Sequence, residues 1–266
     1  MNLSLLEKMP VYFRFWQALR LLVSRDLQQR VTGTVLGLGW LVLNSAFLLA
    51  IYTFVFGLVL KVRFTDVGGT GEFAIYLMAA LLPFLGFQEG VLRSTSVLSE
   101  NRDLINKVVF PPILLPLSVV LSSIAVEIIG LAVLVAVLLW QGILTWTVLF
   151  LPILMVARLL LTVGMAWIVS VITVFLRDLS QAMALLLTIL MFATPILYPA
   201  SAVPEAYHWL MDLNPITILV NSYRGILIEG MVPGVAFYLL LFGALIFAAL
   251  SLFFFDRMIE RTKDFL

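Results

Sequence analysis

Four charged side chains interrupt apolar runs that are long enough to cross a membrane. Glu89 and Arg93 lie four residues apart, and Glu127 and Arg158 lie in the two apolar runs that follow. A charge at the centre of a bilayer costs about 2.5–3.5 kcal/mol on insertion scales, so such residues usually face protein or water and often mark a transport pathway. Glu89 and Arg93 can pair along one helix, or Arg93 can extend to the headgroups. Glu127 and Arg158 can instead be a structural pair between adjacent helices.

Other kinds of chemistry have few suitable residues. The chain has no cysteine and one histidine, His208, so thiol nucleophiles and cysteine-ligated metals are excluded and the histidine cannot build a metal site alone. The sequence contains no phosphate-binding Gly-x-x-x-x-Gly-Lys-Ser/Thr loop, nucleophile elbow or His-Glu-x-x-His helix. We therefore predict a non-catalytic protein that binds no metal or cofactor directly. Any ATP and magnesium are expected on a partner subunit.

The composition is that of a protein surrounded by lipid. Of 266 residues, 63% are apolar and 12% are charged, whereas soluble domains have roughly 45–50% and about 25%. The formal net charge of +1 gives no field that would attract nucleic acid. The sequence predicts an integral membrane protein with membrane lipids as its surroundings and no nucleic-acid partner.

Six apolar runs are long enough to be spanning helices, which need about 20 residues. The runs are continuous rather than alternating, which favours helices over barrel strands and predicts an all-α fold. The predicted spans are 34–60, 73–98, 112–140, 147–175, 180–199 and 233–255. Six spans would put both termini on one side, and we treat residues 1–266 as a single transmembrane domain.

Basic residues indicate which side that is. If the N-terminus is inside, eleven basic residues fall in cytoplasmic segments, namely Lys8, Arg14, Arg20, Arg25, Arg30, Arg102, Lys107, Arg177, Arg257, Arg261 and Lys263. The outer segments then hold only Lys61, Arg63 and Arg224. Because basic residues near span ends resist translocation, both termini are predicted to be cytoplasmic.

Residues 10–29 form a predicted amphipathic helix rather than a span. Polar residues recur on one side at helical spacing, opposite an aromatic and aliphatic side that includes Phe15 and Trp16. Such a helix lies in the membrane interface, where it is either an anchor or a contact for a partner protein. The charged residues assigned to it and its end are Arg14, Arg20, Arg25, Asp26 and Arg30.

Two loop regions contain predicted caps. The cytoplasmic loop 99–111 is charged at its start and apolar at its end, and Asn101 can cap a short surface helix there. Pro111 and Pro112 suit the first turn of the third span. Asp178 is expected to cap the fifth helix in a capping box with Gln181.

Prolines at 195, 199, 204, 215 and 233 break the apolar stretch 194–233. Asn214 and Pro215 predict the N-cap and first residue of a helix over 216–229 that re-enters the membrane without crossing it. Irregular backbone at membrane depth needs protein or a water-filled cavity around it. We therefore interpret 195–232 as an extracytoplasmic gate or, alternatively, as a structural cap.

Aromatic side chains in the predicted spans could stack on sugar rings, although membrane spans are rich in aromatic residues in any case. These residues are Tyr52, Phe84, Phe87, Trp167, Phe192 and Tyr198. The candidate conduit and gate consist of them together with Glu89, Arg93, Glu127, Arg158, Pro195 and Pro199.

Several different short motifs follow one another along most of the chain. They are Arg25-Asp26, Arg30, Gly33, Leu36-Gly37 and Trp40; then Asn101, Leu104-Ile105, Lys107, Phe110-Pro111 and Leu115-Pro116; then Phe175 to Asp178; and last Pro195, Tyr198-Pro199, Pro204, Asn214-Pro215 and Tyr223-Arg224. This order resembles the permease subunits of ABC transporters that export polysaccharides, the type-2 polysaccharide exporter family. Two positions depart from the pattern of that family. Val31 stands where an aromatic residue usually follows the arginine, and Pro112 stands where a basic residue often follows Pro111.

The resemblance implies a homodimer of twelve spans joined to two separate ABC ATPase subunits. It would export O-antigen, capsule or teichoic-acid-like glycan, linked to a lipid carrier, across the bacterial inner membrane. It also implies that Asn101, Arg102, Asp103, Leu104, Ile105, Asn106 and Lys107 form a coupling helix that docks on the ATPase. The alternatives are an ABC permease for drugs or lipids and, outside transport, a membrane scaffold or a glycolipid-modifying enzyme.

Overall fold

The computed structural model describes residues 11–37, 39–59, 72–107, 110–198 and 203–262. Regular structure within these ranges is helical throughout, which confirms the all-α prediction for this part of the chain. The first half contains α1 (Val11–Val31), α2 (Gly39–Tyr52) continued by a π-helix (Thr53–Val59), α3 (Glu72–Ser94), α4 (Val97–Glu100), α5 (Arg102–Lys107) and α6 (Leu114–Trp140).

The second half begins with a 3-10 turn (Trp146–Phe150) that leads into α7 (Leu151–Phe175). It continues with α8 (Leu179–Ala193), a 3-10 turn (Glu205–Tyr207), α9 (His208–Leu213), α10 (Pro215–Arg224) with a π-helical end (Gly225–Glu229), and α11 (Val235–Thr262). Within the described ranges, four helices are long and apolar enough to cross a membrane, namely Phe73–Ser94, Leu114–Trp140, Trp146–Phe175 and Val235–Thr262.

Helix α3 is the centre of the bundle. Residues such as Leu77, Met78 and Phe84 are buried on its different sides, and it packs against α6, α7 and α10. A helix that is apolar all round has to be enclosed by other helices. Helix α11 packs mainly against α7, and the remaining faces of α8 and α11 expose leucine and phenylalanine side chains, as suits contact with lipid or with another membrane chain.

The second predicted span ends earlier than expected. Helix α3 stops at Ser94 instead of residue 98, and α4 begins at Val97 after a short break. The side-chain oxygens of Ser94 and Thr95 accompany this break by donating to the carbonyls of Gly90 (2.6 Å) and Leu92 (2.7 Å). Hydroxyl side chains that bond to the helix backbone in this way compete with its regular pattern.

Of the caps predicted at Asn214 and Asp178, the first is confirmed and the second is wrong. Asn214 is the N-cap of α10, its Oδ1 accepts from the backbone nitrogen of Ile216 at 3.0 Å, and Pro215 is the first helical residue. Asp178 precedes α8 but makes no side-chain cap hydrogen bond, because its φ of −66° and ψ of −16° are already helical. A capping side chain requires the extended conformation instead. Pro111 and Pro112 lie in the turn that precedes α6, whereas the sequence predicted them in the first turn of that helix.

Candidate functional site

Four charged residues form a cluster between α1 and α3. Arg93 donates to both oxygens of Asp26, with Nη1 2.9 Å from Oδ2 and Nη2 bonded to Oδ1. Arg30 places Nε 3.3 Å from Asp26 Oδ2 and also pairs with Glu89. The predicted Glu89–Arg93 pair is present at 3.9 Å, but it is the longest contact of the set. We call Asp26, Arg30, Glu89 and Arg93 the α1–α3 ion cluster.

Helical spacing positions this cluster. Asp26 and Arg30 are one turn apart on α1, and Glu89 and Arg93 are one turn apart on α3, so each helix presents one charge of each sign to the other. Burial of Asp26 opposes its ionisation, but the guanidinium groups of Arg93 and Arg30 outweigh that effect and hold its pKa below the ordinary 3.8. Asp26 is therefore a carboxylate at neutral pH, and α1 is attached to α3 by charge.

The candidate coupling segment, residues 101–107, is attached to α1. Arg25 Nη2 donates to Asn101 Oδ1 at 2.9 Å, and Asn101 Nδ2 donates to the Val97 carbonyl at 2.8 Å. The side chain of Asn101 therefore links α1 to α4, while its backbone carbonyl accepts from Leu104 (3.0 Å) and Ile105 (3.2 Å) at the start of α5. A polar cavity of about 230 Å³ lies between α1, α3, α4 and α6.

Helix α5 has one buried and one exposed side. Ile105 packs in a core with Leu22 of α1, Leu98 of α4 and Leu115 of α6, while Leu104 is half-buried. Arg102 and Asp103 are exposed, as is Arg20 on α1. The side chains of Arg14, Asn106 and Lys107 lie outside the described residues. The geometry thus offers a short charged surface on a helix whose buried side belongs to the core shared by α1, α4 and α6.

A second charged group is buried within the bundle. Arg158 of α7 places Nε 2.9 Å from Glu127 Oε2 of α6, and both side chains are 0% exposed. Tyr223 of α10 donates its hydroxyl to Glu127 Oε1 at 3.1 Å, and Arg158 Nη2 donates to Ser123 Oγ at 3.3 Å. The predicted interhelix pair is confirmed. We call Glu127, Arg158, Tyr223 and Ser123 the intramembrane cluster.

A glycine on α3 makes room for this cluster. A Cβ added at Gly86 would overlap Arg158 Nη2 and lie 2.9 Å from Glu127 Oε2 and 3.0 Å from Arg158 Cζ. Any larger residue would therefore displace the guanidinium from its place between α3 and α6. Sequence reasoning missed Gly86, because a single glycine in an apolar run gives no sign of which neighbour approaches it.

Arg224 connects α10 to the start of α3 and to the segment after α8. Its Nη1 and Nη2 donate to the carbonyls of Pro195 (2.6 Å) and Ile196 (2.9 Å), and its Nε donates to the carbonyl of Tyr76 (3.2 Å). The guanidinium also lies 3.7 Å from the centre of the Tyr76 ring, a cation–π contact. Arg224 was counted among the outer loop charges, but it is a buried side chain that satisfies the irregular backbone after α8.

The matched region of the sequence decides the family. Residues 17–228 match the ABC-2 type transporter family. The chain belongs to this family. The match includes α1 from residue 17 onward, the α1–α3 ion cluster, α5 and the intramembrane cluster, and it confirms the resemblance drawn from the short motifs.

Relatives of this ABC-2 family chain are named as permeases or transport proteins. It is 32% identical over 80% of both chains to the O-antigen export system permease protein RfbA of Myxococcus xanthus. It is 27% identical to a protein of the same name from Klebsiella pneumoniae, covering 92% of this chain and 93% of the relative. The polysialic acid transport protein KpsM of Escherichia coli is 23% identical over 80% of both. The prediction of a non-catalytic membrane permease is therefore confirmed.

Within this ABC-2 family fold, the candidate aromatic residues lie in different surroundings. Phe84 and Phe87 are buried, with ring centres 6.4 Å apart, so other helices already cover the surfaces that they could offer to a sugar. Trp167 is half-buried and donates to the Ile113 carbonyl at 3.4 Å. Tyr52 is also half-buried.

The remaining gate candidates gather after α8. Phe192 is exposed, and its carbonyl accepts from the half-buried Tyr198 hydroxyl at 2.6 Å. Pro195 is buried beside Arg224, and Pro199 lies outside the described residues. The structure therefore brings Phe192, Pro195 and Tyr198 together, apart from the buried Phe84 and Phe87.

Proposed function

We propose that this chain is the membrane subunit of an ATP-driven exporter of lipid-linked polysaccharide, with O-antigen as the first candidate substrate. The names and coverage of the relatives support this assignment, since the O-antigen permeases match 80–93% of both chains. The complex would contain two copies of the chain and two separate ABC ATPase subunits that bind ATP and magnesium. The exposed apolar faces of α8 and α11 suit a second copy as well as lipid.

We place the chain in the bacterial inner membrane with six spans and both termini in the cytoplasm. Four long helices are clear candidates. Helix α2 with its π-helical continuation reaches from Gly39 to Val59, about 30 Å at the usual helical rise. Helix α8 has 15 residues, about 22 Å, so its span would need the irregular residues after Ala193. Their carbonyls are satisfied by Arg224, as backbone at that depth requires.

The observation that carries the proposal is the attachment of α5 to the bundle. Arg25 bonds to Asn101 just before α5, and the next residue, Asp26, bonds to Arg93 near the end of α3. A movement imposed on α5 from outside would therefore be passed to a spanning helix through a few directed contacts. Rigid-body transport cycles require such a connection between an energy-supplying subunit and the spans.

The membrane segment would move substrate between its two ends without chemical change. In this proposal the region 195–232, with its re-entrant helix α10, is the extracytoplasmic gate. Glu89 and Arg93 serve the coupling side, and the intramembrane cluster fixes the arrangement of α6, α7 and α10. Phe192 and Tyr198 are the aromatic candidates closest to the gate, because Tyr198 bonds to the Phe192 carbonyl.

The proposal is tested in cells that express the chain with its ATPase. Asp103→Ala combined with Lys107→Ala should reduce co-purification of the ATPase or its glycan-dependent hydrolysis, and surface glycan should fall. Gln141→Ala, an exposed residue in the turn after α6, lies outside both the coupling segment and the 195–232 region; it is the control and should leave all three unchanged. Unchanged assembly and hydrolysis in the double variant would contradict the coupling role.

The choice of substrate is tested separately. Deletion of the chain should trap finished lipid-linked glycan on the cytoplasmic side and remove it from the cell surface. Normal surface glycan together with altered lipid distribution or drug sensitivity would instead support the alternative permease. Absence of any co-purified ATPase would return the scaffold and glycolipid-modifying alternatives.

A further inference from the structure

Two consecutive residues of α10 attach it to two different parts of the bundle. We propose that Tyr223 is a positioning residue for transport. Its hydroxyl couples the position of the α10 segment (Pro215–Glu229) to that of the Glu127–Arg158 pair, while Arg224 attaches the same segment to the backbone of Tyr76, Pro195 and Ile196. We call these two attachments the α10 joint. The transport consequence rests on the proposed export function. The structural link itself does not.

The directions of the two side chains support this joint. Residues adjacent on a helix point about 100° apart, so Tyr223 reaches α6 while Arg224 reaches the segment after α8 and the start of α3. The Tyr223 hydroxyl is 3.1 Å from Glu127 Oε1, and Arg224 donates to the carbonyls of Tyr76, Pro195 and Ile196. Both side chains are buried.

Each contact has a distinct chemical character. The three carbonyls that accept from Arg224 belong to the backbone, so they persist as long as the local fold does. Tyr223 instead donates to a carboxylate that is also paired with Arg158 across α6 and α7. Any sliding of α6 against α7 changes the position of that carboxylate. The tyrosine hydroxyl is therefore sensitive to the arrangement of the spanning helices.

The rest of the α10 segment does not depend on that hydroxyl. Ile216, Leu219 and Val220 are buried in the main core, and Thr147 Oγ1 donates to the Ile226 carbonyl at 2.6 Å. Replacing Tyr223 with phenylalanine removes one oxygen atom and keeps the ring that fills the core. The segment should then stay folded but lose its link to the charged pair.

The test uses the complete transporter with its ATPase and compares Tyr223→Phe with Tyr238→Phe, an exposed tyrosine on α11. Exported glycan per ATP hydrolysed should fall by about three- to tenfold in Tyr223→Phe, since one hydrogen bond between membrane helices, here to a charged acceptor, is worth that much in an equilibrium. Tyr238→Phe should keep the wild-type ratio. An unchanged ratio, including one in which export and hydrolysis fall in the same proportion, would overturn the positioning role, because a merely structural defect leaves this ratio unaltered.

A second measurement is independent of the substrate. Amide hydrogen exchange of the purified chain should be faster over residues 215–229 in Tyr223→Phe and unchanged over α3. Identical exchange in variant and wild type would overturn the joint itself. If the wild-type complex exports no glycan but the exchange difference is present, the proposed function fails and the joint remains.

Discussion

The α1–α3 ion cluster and the intramembrane cluster use the same chemical groups in different environments. In the first, Arg93 and Glu89 are 36% and 31% exposed, Arg30 and Asp26 are 15% and 11% exposed, and the four charges share several partners. In the second, Glu127 and Arg158 are 0% exposed and face each other. Partly exposed ion pairs contribute only about 0–1 kcal/mol each, whereas removing one member of a buried pair costs about 3–5 kcal/mol. The first cluster, whose Glu89 and Arg93 contact solvent, can therefore exchange partners at a lower cost than the second, in which both charges are fully buried.

This difference suits their places in the proposed transport cycle. The ion cluster lies between α1 and α3, where an ATPase partner would move the coupling segment, and exchange among its four charges allows that movement. The intramembrane cluster joins three helices, and its Glu127 and Arg158 side chains have no exposure to solvent, so water cannot replace a lost partner. Within the described residues, Arg158 Nη1 has no hydrogen-bond partner, so this pair is already incompletely satisfied and depends strongly on Glu127.

The largest effect is expected from Arg158→Met. It leaves the Glu127 carboxylate buried without a counter-charge, which should destabilise the folded chain by about 3–5 kcal/mol. Thermal unfolding in detergent measures the loss. The double variant Glu127→Leu/Arg158→Met should recover much of it, because an apolar pair of similar size carries no desolvation cost. A double variant as unstable as the single one would show that the charge imbalance is not the cause.

The second prediction uses the glycine that accommodates the same pair. Gly86→Ala places a methyl group on the Arg158 guanidinium and should cost about 1–3 kcal/mol, as overpacking of a buried site does. Gly243→Ala on α11 is the matched control, since a Cβ there meets nothing within 4 Å. The control should be neutral or slightly stabilising, because alanine favours helix over glycine by about 1 kcal/mol. Equal stability of both variants would remove Gly86 from the cluster.

The two clusters also differ in how far they could be predicted from sequence. Opposite charges in consecutive apolar runs were enough to suggest the Glu127–Arg158 pair, because a lone charge in lipid needs a partner. Glu89 and Arg93 suggested only a local pair, since helical spacing reveals neighbours on one helix. Asp26, which bonds to Arg93 from 67 positions away, was assigned to the amphipathic helix without a partner.

The same distinction explains the other outcomes. The apolar runs predicted helices, and Asn214-Pro215 predicted the start of α10, because both signals act within a few residues. Gly86 and Arg224 were missed because their roles depend on which helix lies opposite. The capping box at Asp178 failed because the preceding turn sets the backbone angles of that residue. Sequence patterns therefore predict elements better than the faces at which those elements meet.

A moderate effect is expected from Asp26→Asn. The change removes the carboxylate that Arg93 and Arg30 share, and it should weaken attachment of α1 by about 1–2 kcal/mol after allowance for partial exposure. Hydrogen exchange over α1 should rise, and added salt should narrow the difference from wild type. Salt should leave the defect of Arg158→Met unchanged, which separates the two environments.

The pH dependence of this variant follows from the lowered pKa of Asp26. A depressed pKa stabilises the fold above the ordinary value of 3.8, and this contribution is lost as pH falls through the lower pKa of the folded state. The difference between wild type and Asp26→Asn should therefore be constant from about pH 7 to 5 and close only in stronger acid. A difference that closes near neutral pH would contradict an ionised, paired Asp26.

The smallest effect on stability is expected from Arg25→Ala, although its effect on coupling should be larger. The Arg25–Asn101 hydrogen bond is exposed, so its loss should cost less than about 1 kcal/mol of stability. It nevertheless links α1 to the residue before α5, and without it α5 can move without pulling on α1. Arg20→Ala, on the same helix and also exposed, removes the same charge and is the control. Intact ATPase binding with weaker glycan stimulation of hydrolysis in Arg25→Ala alone would support this link. Equal behaviour of the two variants would contradict the proposed connection between the coupling segment and the ion cluster.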